Sequence, residues 1–321
     1  MQDLAGRLAV VTGGGSGMGR ELVRQLATEG CNVAMCDVSA ESMAETRELC
    51  DQARAPARVS AHLADVAAEP QVLRFRDEVV REHDTDKVHL LFNNAGIGGG
   101  GSLFTNPREQ WERTFNICWG GVYFCTRAFL PLLMNAAQAH IVNTSSINGF
   151  WASVGPQLPH TAYSAAKFAV KGFTEALITD LRLNAPHIKC SVVMPGHIGT
   201  SILGNSRKIQ FGAQSDDITR EEIAQIRARL AAAGRDLSQV SDGDIQKMSM
   251  ERARRFLEEA PMTAAAAAKA ILEGVKADRW RILVGEDAQR IDELVRQTPE
   301  AAYEEEFFSA FAAEVGWAVT R

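Results

Sequence analysis

Short apolar, β-branched runs alternate with amphipathic stretches along most of this chain, and each run has the length of a strand. Leu8 to Thr12 predicts a first strand and Gly17 to Glu29 a helix. Val33 to Asp37 predicts a second strand, with a helix over 41–53. Val59, Ala61 and Leu63 alternate with polar or small residues, as in a third strand, and 69–82 has helical spacing. Val88 to Phe92 predicts a fourth strand, ending in Asn93-Asn94-Ala95-Gly96. A glycine-rich loop (98–101) and a long helix over 108–134 follow. Ile141 to Thr144 and Lys189 to Met194 predict strands five and six, flanking a helix over 161–183. Helix returns over 263–275, where Thr263 can cap the N-terminus, and Ile282 to Val284 predicts a seventh strand.

Strand–helix alternation of this kind implies parallel βαβ units wound right-handedly, with helices on both faces of one sheet. The expected fold is α/β: a doubly wound, parallel, seven-stranded sheet forming one domain over 1–321. Ligands of such sheets bind beyond the carboxyl ends of the strands. Residues 201–260 break the rhythm; Ile223, Ile226 and Leu230 share one helix face, but the rest is weakly patterned. Coming straight after strand six, this stretch reads as a lid insertion. Residues 286–321 read as an acidic helical extension, a candidate contact with a neighbouring subunit.

Composition narrows the function classes. Apolar residues make up 46% of the chain, enough for a large core, and 23% are charged, which argues against disorder. With 34 basic and 40 acidic residues the net charge is −6, so no nucleic-acid partner is expected. The local cluster Arg252, Arg254, Arg255 reads as a solvated helix face. Cys31, Cys36, Cys50, Cys118, Cys125 and Cys190 form no CxxC pair and no zinc spacing, so no metal is expected. Neither a signal-like N-terminus nor an apolar run of membrane length is read from the chain; the expectation is a soluble, cytoplasmic protein with buried thiols.

Two patterns carry chemistry. Thr12-Gly13-Gly14-Gly15-Ser16-Gly17-Met18-Gly19 lies between strand and helix, where glycines let the backbone approach a pyrophosphate and the helix N-terminus offers free N–H groups. Asp37 closes the second strand 18 residues beyond Gly19, placed to accept hydrogen bonds from ribose hydroxyls and to repel a 2′-phosphate. Neither Ser16 nor Val38 offsets that repulsion, which favours NAD over NADP, although Arg20 is close by.

Tyr163 and Lys167 stand four apart and share a helix face. A phenol is a poor base at neutral pH; lowering its pKa by about three units takes roughly 4 kcal/mol, which adjacent cations in a dry cleft can supply. Ser145 and Ser146 follow the fifth strand, and either could hold a substrate oxygen against the tyrosine or merely cap a turn.

Together these residues resemble the short-chain dehydrogenase/reductase family. The resemblance rests on Thr12-Gly13-x-x-x-Gly17-x-Gly19, Asp65-Val66, Asn93-Asn94-Ala95-Gly96, Asn116, Ser146, Tyr163-x-x-x-Lys167 and Pro195-Gly196-x-x-x-Thr200, in the family's order. It implies a Rossmann-type fold and a role for each residue. Tyr163 would be the acid/base, Lys167 its modulator and a ribose contact, Ser146 the group polarising the substrate oxygen. Asn116 would hold a relay water next to Lys167. Gly13, Ser16, Gly17, Met18 and Gly19 would cradle phosphates, with Asp37 and Val38 at the ribose and Asp65 and Val66 at the adenine. Asn93, Ala95 and Gly96 would lie along the cofactor, and Pro195, Gly196, Ile198 and Thr200 would position its carboxamide and phosphates. The family also implies a homodimer or homotetramer joined through the helices near 108–134 and 161–184.

Two departures stand out. Sixteen residues separate Ser146 from Tyr163, more than is usual, and the stretch after Thr200 is enlarged. An enlarged lid suits a bulky, apolar secondary alcohol, steroid-like or aromatic. The other readings are an NADP-dependent ketoreductase of fatty-acid or polyketide type and a catalytically silent NAD-binding regulator. His197 could face substrate or solvent. Trp119 and Trp151 read as packing residues.

Overall fold

The computed structural model describes residues 1–156, 158–212, 218–232, 234 and 239–317. Parts of the expected lid (213–217, 233, 235–238) and of the expected extension (318–321) lie outside the described residues.

The strands are β1 (Leu8–Thr12), β2 (Asn32–Asp37), β3 (Val59–Leu63), β4 (Leu90–Asn93), β5 (Ala139–Thr144), β6 (Ile188–Pro195), β7 (Ile198–Gly199), β8 (Met262–Thr263) and β9 (Arg281–Val284). The helices are α1 (Gly17–Thr28), α2 (Ala40–Gln52), α3 (Glu69–His83), α4 (Arg108–Phe115), α5 (Gly121–Met134) and α6 (Thr161–Asn184). They continue as α7 (Ile202–Phe211), α8 (Arg220–Ala232), α9 (Asp242–Glu258), α10 (Ala264–Lys276), α11 (Glu286–Gln297) and α12 (Glu305–Val315).

Seven strands form one parallel sheet in the order β3-β2-β1-β4-β5-β6-β9, while β7 and β8 make a small separate pair. Sheet strands are apolar at successive positions because both faces are covered. Val10, Ala34, Leu91 and Ile141 face one helix layer; Val11, Val33, Phe92 and Val193 face the other. The chain winds outward from β1 to β3, then returns to place β4 beside β1, with Val10 opposite both Ala34 and Leu91. That reversal opens a crevice at the carboxyl ends of β1 and β4.

The structure departs from the sequence reading in several places. The helix over 108–134 is interrupted by a π turn over Asn116–Gly120. By length and composition this helical run is apolar enough to cross a membrane, against the sequence reading. In the fold it is a core helix: Cys125, Phe129, Leu132 and Leu133 are buried against the sheet. Residues 201–260 contain three helices, α7 to α9, where one was expected. The C-terminal helices pack on their own chain: Ile291, Phe308 and Phe311 enclose Trp151, whose indole N–H donates to the Ala302 carbonyl at 2.7 Å.

Candidate active site

The glycine loop spans the gap from β1 to α1. Gly13 has φ +69°, and a Cβ there would stand 2.9 Å from the Ala95 Cα, so the turn and the close approach both require glycine. Thr12 Oγ1 accepts from the Asn94 and Ala95 amides at 3.0 Å, tying this loop to the end of β4. Ser16 precedes α1 without capping it, and its hydroxyl accepts from Asn205 Nδ2 of α7 at 3.0 Å. No acidic residue stands in the first turn of α1, so its positive end is free for an anion. Thr200 lies against Gly17, with its methyl 3.2 Å from where a Cβ would sit. Met18 packs into the core beside the loop. This cradle, which a single Cβ would fill, fits a pyrophosphate.

Asp37 Oδ2 accepts from the Gly15 amide at 3.0 Å and Oδ1 from the Ser39 amide at 3.1 Å. Each oxygen keeps acceptor capacity for a hydroxyl. Arg20 donates to the Gly15 carbonyl at 2.6 Å and pairs with Glu45 at 2.6 Å, so its charge already has a partner. Val38 is exposed beside Asp37.

Farther along the crevice, Asp65 pairs with Arg113 at 2.7 Å and accepts from the Ala67 amide at 2.9 Å. Val66 is buried against Gly121. Asn93 is the last residue of β4. It points into the fold, donating to Thr126 at 3.0 Å and Asn143 at 2.8 Å, because it closes the polar seam between β4, β5 and α5. Asn94, unassigned from sequence, is the side chain that reaches the glycine loop, donating to the Thr12 carbonyl at 3.2 Å.

Helix α6 carries Tyr163 and Lys167 on one face. Lys167 Nζ lies 5.4 Å from the tyrosine ring centre and donates to the Thr144 carbonyl at 2.8 Å. Ser146 lies beside Tyr163 and accepts from the Asn148 amide at 3.1 Å. Ser145 turns away, donating to the Lys167 carbonyl at 2.8 Å, which leaves Ser146 as the serine at the tyrosine.

The relay position is corrected. Asn116 is exposed at the start of the π turn, and the residue facing the lysine is Cys118, about half a turn round the helix. Cys118 is fully buried; its Sγ and Lys167 Nζ both lie by Gly96, 3.6 and 3.4 Å from where a Cβ would sit. The thiol donates to the Ile97 carbonyl at 3.2 Å.

Electrostatics also depart from expectation. Burial pushes the Tyr163 phenol well above its ordinary pKa, Cys118 adds to that, and only the Ser146 hydroxyl opposes it. Burial likewise lowers the pKa of the Lys167 ammonium. In the free chain desolvation therefore outweighs the helping cation, and Tyr163 is a phenol at neutral pH. His160 packs at a tilt 4.8 Å from the tyrosine ring and is driven down to about 4, chiefly by burial and then by Arg252, so it is neutral.

Ser146 and Tyr163 line a cavity of about 580 Å³, walled by the 98–101 loop and by residues of α7, α8 and α9. That volume is ample for a drug-sized ligand. His197 lines it, buried, with Nε2 bonded to the Phe256 carbonyl at 2.8 Å; it does not face solvent. Trp151 is fully buried, and Trp119 packs edge-on against Phe173; both are packing residues. The Pro195-Gly196-His197 turn rests on Asp287 of α11, which accepts from the His197 amide at 2.6 Å. No signal in the sequence marked Asp287, because 90 residues separate it from the turn it holds. Ile198 is buried in β7 next to this turn.

The comparisons agree with this geometry. The family described as short chain dehydrogenase matches residues 7–210. The oxidoreductase SadH of Mycobacterium tuberculosis is 33% identical over 296 residues, covering 92% of each chain. Epidermal retinol dehydrogenase 2 of Mus musculus is 34% identical over 202 residues, covering 63% of each. A short chain dehydrogenase/reductase from Burkholderia phymatum, solved in complex with NAD, superposes with a TM-score of 0.74 at 27% identity, covering 94% of this chain and 96% of that one. The match over most of the chain, on a seven-stranded parallel sheet with Ser146 and Tyr163 at one cavity and Lys167 beside the tyrosine, makes this chain a member of the short-chain dehydrogenase/reductase family, an oxidoreductase acting on CH–OH groups.

Proposed function

We propose that the chain oxidises a bulky secondary alcohol, or reduces the matching ketone, with NAD as its cofactor and Tyr163 as the acid/base. The observation that carries this reading is the floor of the cavity: Ser146 beside Tyr163, with Lys167 one helical turn away. In oxidation, Tyr163 Oη takes the hydroxyl proton while Ser146 holds the substrate oxygen. In reduction the phenol returns that proton to the carbonyl oxygen. A bound nicotinamide supplies the hydride acceptor or donor, and its positive ring helps the phenolate form. Lys167 aids by its charge, and Cys118 excludes water beside it.

Gly13, Ser16, Gly17, Met18 and Gly19 would hold the pyrophosphate, with Asp37 and Val38 at the adenosine ribose and Asp65 and Val66 at the adenine. Ala95, Gly96, Pro195, Gly196, Ile198 and Thr200 would line the nicotinamide end. Asp37, with Arg20 taken up by Glu45, favours a free ribose over a 2′-phosphate. Helices α7 to α9 act as the lid. The exposed Tyr123 and Phe168 fit a homodimer or homotetramer packed through α5 and α6. Six buried free thiols suit a reducing, cytoplasmic setting.

The test is a panel of secondary alcohols with NAD and NADP, read as reduced-cofactor absorbance, on wild type and Tyr163→Phe. Loss of the acid/base should cut kcat by about 10²–10⁴-fold while cofactor binding persists. Equal turnover by Tyr163→Phe overturns the mechanism, and a clear preference for NADP overturns the cofactor assignment.

A further inference from the structure

The lid side of the cavity carries an unbalanced charge. Four charged side chains line it among the described residues: Arg207, Glu222, Arg229 and Arg252. Glu222 is spoken for; it pairs with Arg207 at 2.5 Å and accepts from the Thr219 amide at 2.6 Å. Arg229 of α8 and Arg252 of α9 remain, and neither makes a hydrogen bond or ion pair among the described residues. Arg229 Nε is buried without a partner. Burial and mutual repulsion bring Arg252 down to about 10, and burial lowers Arg229 as well, yet both stay charged at neutral pH.

Arg254, two residues along α9, shows what a surface arginine does here: it is exposed and bonded to Glu251 and Glu258. Arg252 instead looks inward, onto a wall built of Ile202, Leu203, Ile226, Met250 and Phe256. Two guanidiniums in an apolar cavity without a counterion carry a desolvation cost that nothing in the chain offsets. A planar oxyanion between them would offset it, since each guanidinium presents a fork that matches carboxylate or phosphate.

Resting on the dehydrogenase reading above, we propose that the substrate is an apolar alcohol or ketone bearing an oxyanion group, a carboxylate or a phosphate ester. Arg229 and Arg252 bind that group while Ser146 and Tyr163 hold the reacting oxygen. The apolar wall receives the body between the two ends. The sequence reading of Arg252 as part of a solvated face is thereby replaced.

Matched probes test this: 4-(1-hydroxyethyl)benzoate, its methyl ester and 4-(1-hydroxyethyl)phenyl phosphate. A longer pair, 12-hydroxyoctadecanoate and its methyl ester, covers a greater span between the two groups. Turnover with NAD and calorimetric binding are both read. Wild type should favour at least one acid or the phosphate over its neutral partner by about tenfold or more in kcat/KM and in affinity. The acid and phosphate arms then tell which oxyanion is preferred. Arg229→Gln and Arg252→Gln should bring the acid-to-ester ratio close to one. Arg252→Lys should keep part of it, and Arg254→Gln all of it, with circular dichroism confirming the fold in each. Equal binding of every acid and its ester by wild type overturns the anion site, whatever the turnover. A binding preference that Arg252→Gln removes, with no probe turned over, upholds the anion site and overturns the dehydrogenase reading instead.

Discussion

Tyr163 shows how burial and charge compete at one residue. The spacing to Lys167 announces a cation beside a phenol, but the folded chain desolvates both groups, and desolvation raises the phenol's pKa. The sign of the pH dependence follows. Oxidation consumes the phenolate, so its rate should climb with pH from neutrality into the alkaline range. Reduction consumes the phenol, so its rate should stay level there and fall only at the alkaline end. Initial rates in both directions between about pH 6 and 10 check this, and an oxidation rate that is level across that range would contradict it. Cys118 belongs to the same scale. Asn116 matched the expected residue type, but the helical phase decides which side chain meets Lys167, and a difference of two positions reverses the face.

At the scale of elements, the glycine loop is the most demanding piece of backbone. A Cβ on Gly19 would collide with the Gly13 carbonyl oxygen, a backbone atom that cannot step aside without opening the turn. Gly19→Ala should therefore weaken NAD binding by about tenfold or more and destabilise the fold by about 1–3 kcal/mol. Calorimetric titration and thermal unfolding would measure the two effects; unchanged affinity would show that the turn does not form the cradle. The β1–loop–α1 unit was legible because its signal is local: a β-branched run, clustered glycines and a helix pattern within about 20 residues. Helices α7 and α9 were not. Their apolar positions line a cavity rather than a continuous core, so the helical period is diluted by the polar residues that face it.

At the scale of the molecule, the carboxyl-terminal helices close onto the segment inserted between Ser146 and Tyr163. Trp151 is the junction, in ring contact with Phe307, Phe308, Phe311 and Trp317, and Trp317 also lines the cavity. Trp151→Ala empties that junction and should cost about 3–5 kcal/mol. It should also expose the chain beyond residue 285 to limited proteolysis and raise the substrate KM. Denaturant unfolding together with protease mapping would show this; a tail as protected as in wild type would mean that the helices are held some other way. The longer Ser146–Tyr163 spacing and the C-terminal extension, separate oddities in the sequence, are two halves of one packing interface.

The sequence alone determined the seven strands of the parallel sheet, the glycine loop and the Tyr163–Lys167 pair. Each depends on periodicity or spacing within one or two turns or strands, and short-range geometry follows from the backbone. Tertiary structure decided which residues meet across distance: Cys118 at the lysine, Asn94 at the glycine loop, Asp287 beneath the Pro195 turn, Arg229 and Arg252 in one cavity. Those meetings arise from how elements pack, and no local pattern encodes which side chain of one helix will face another that lies far along the chain.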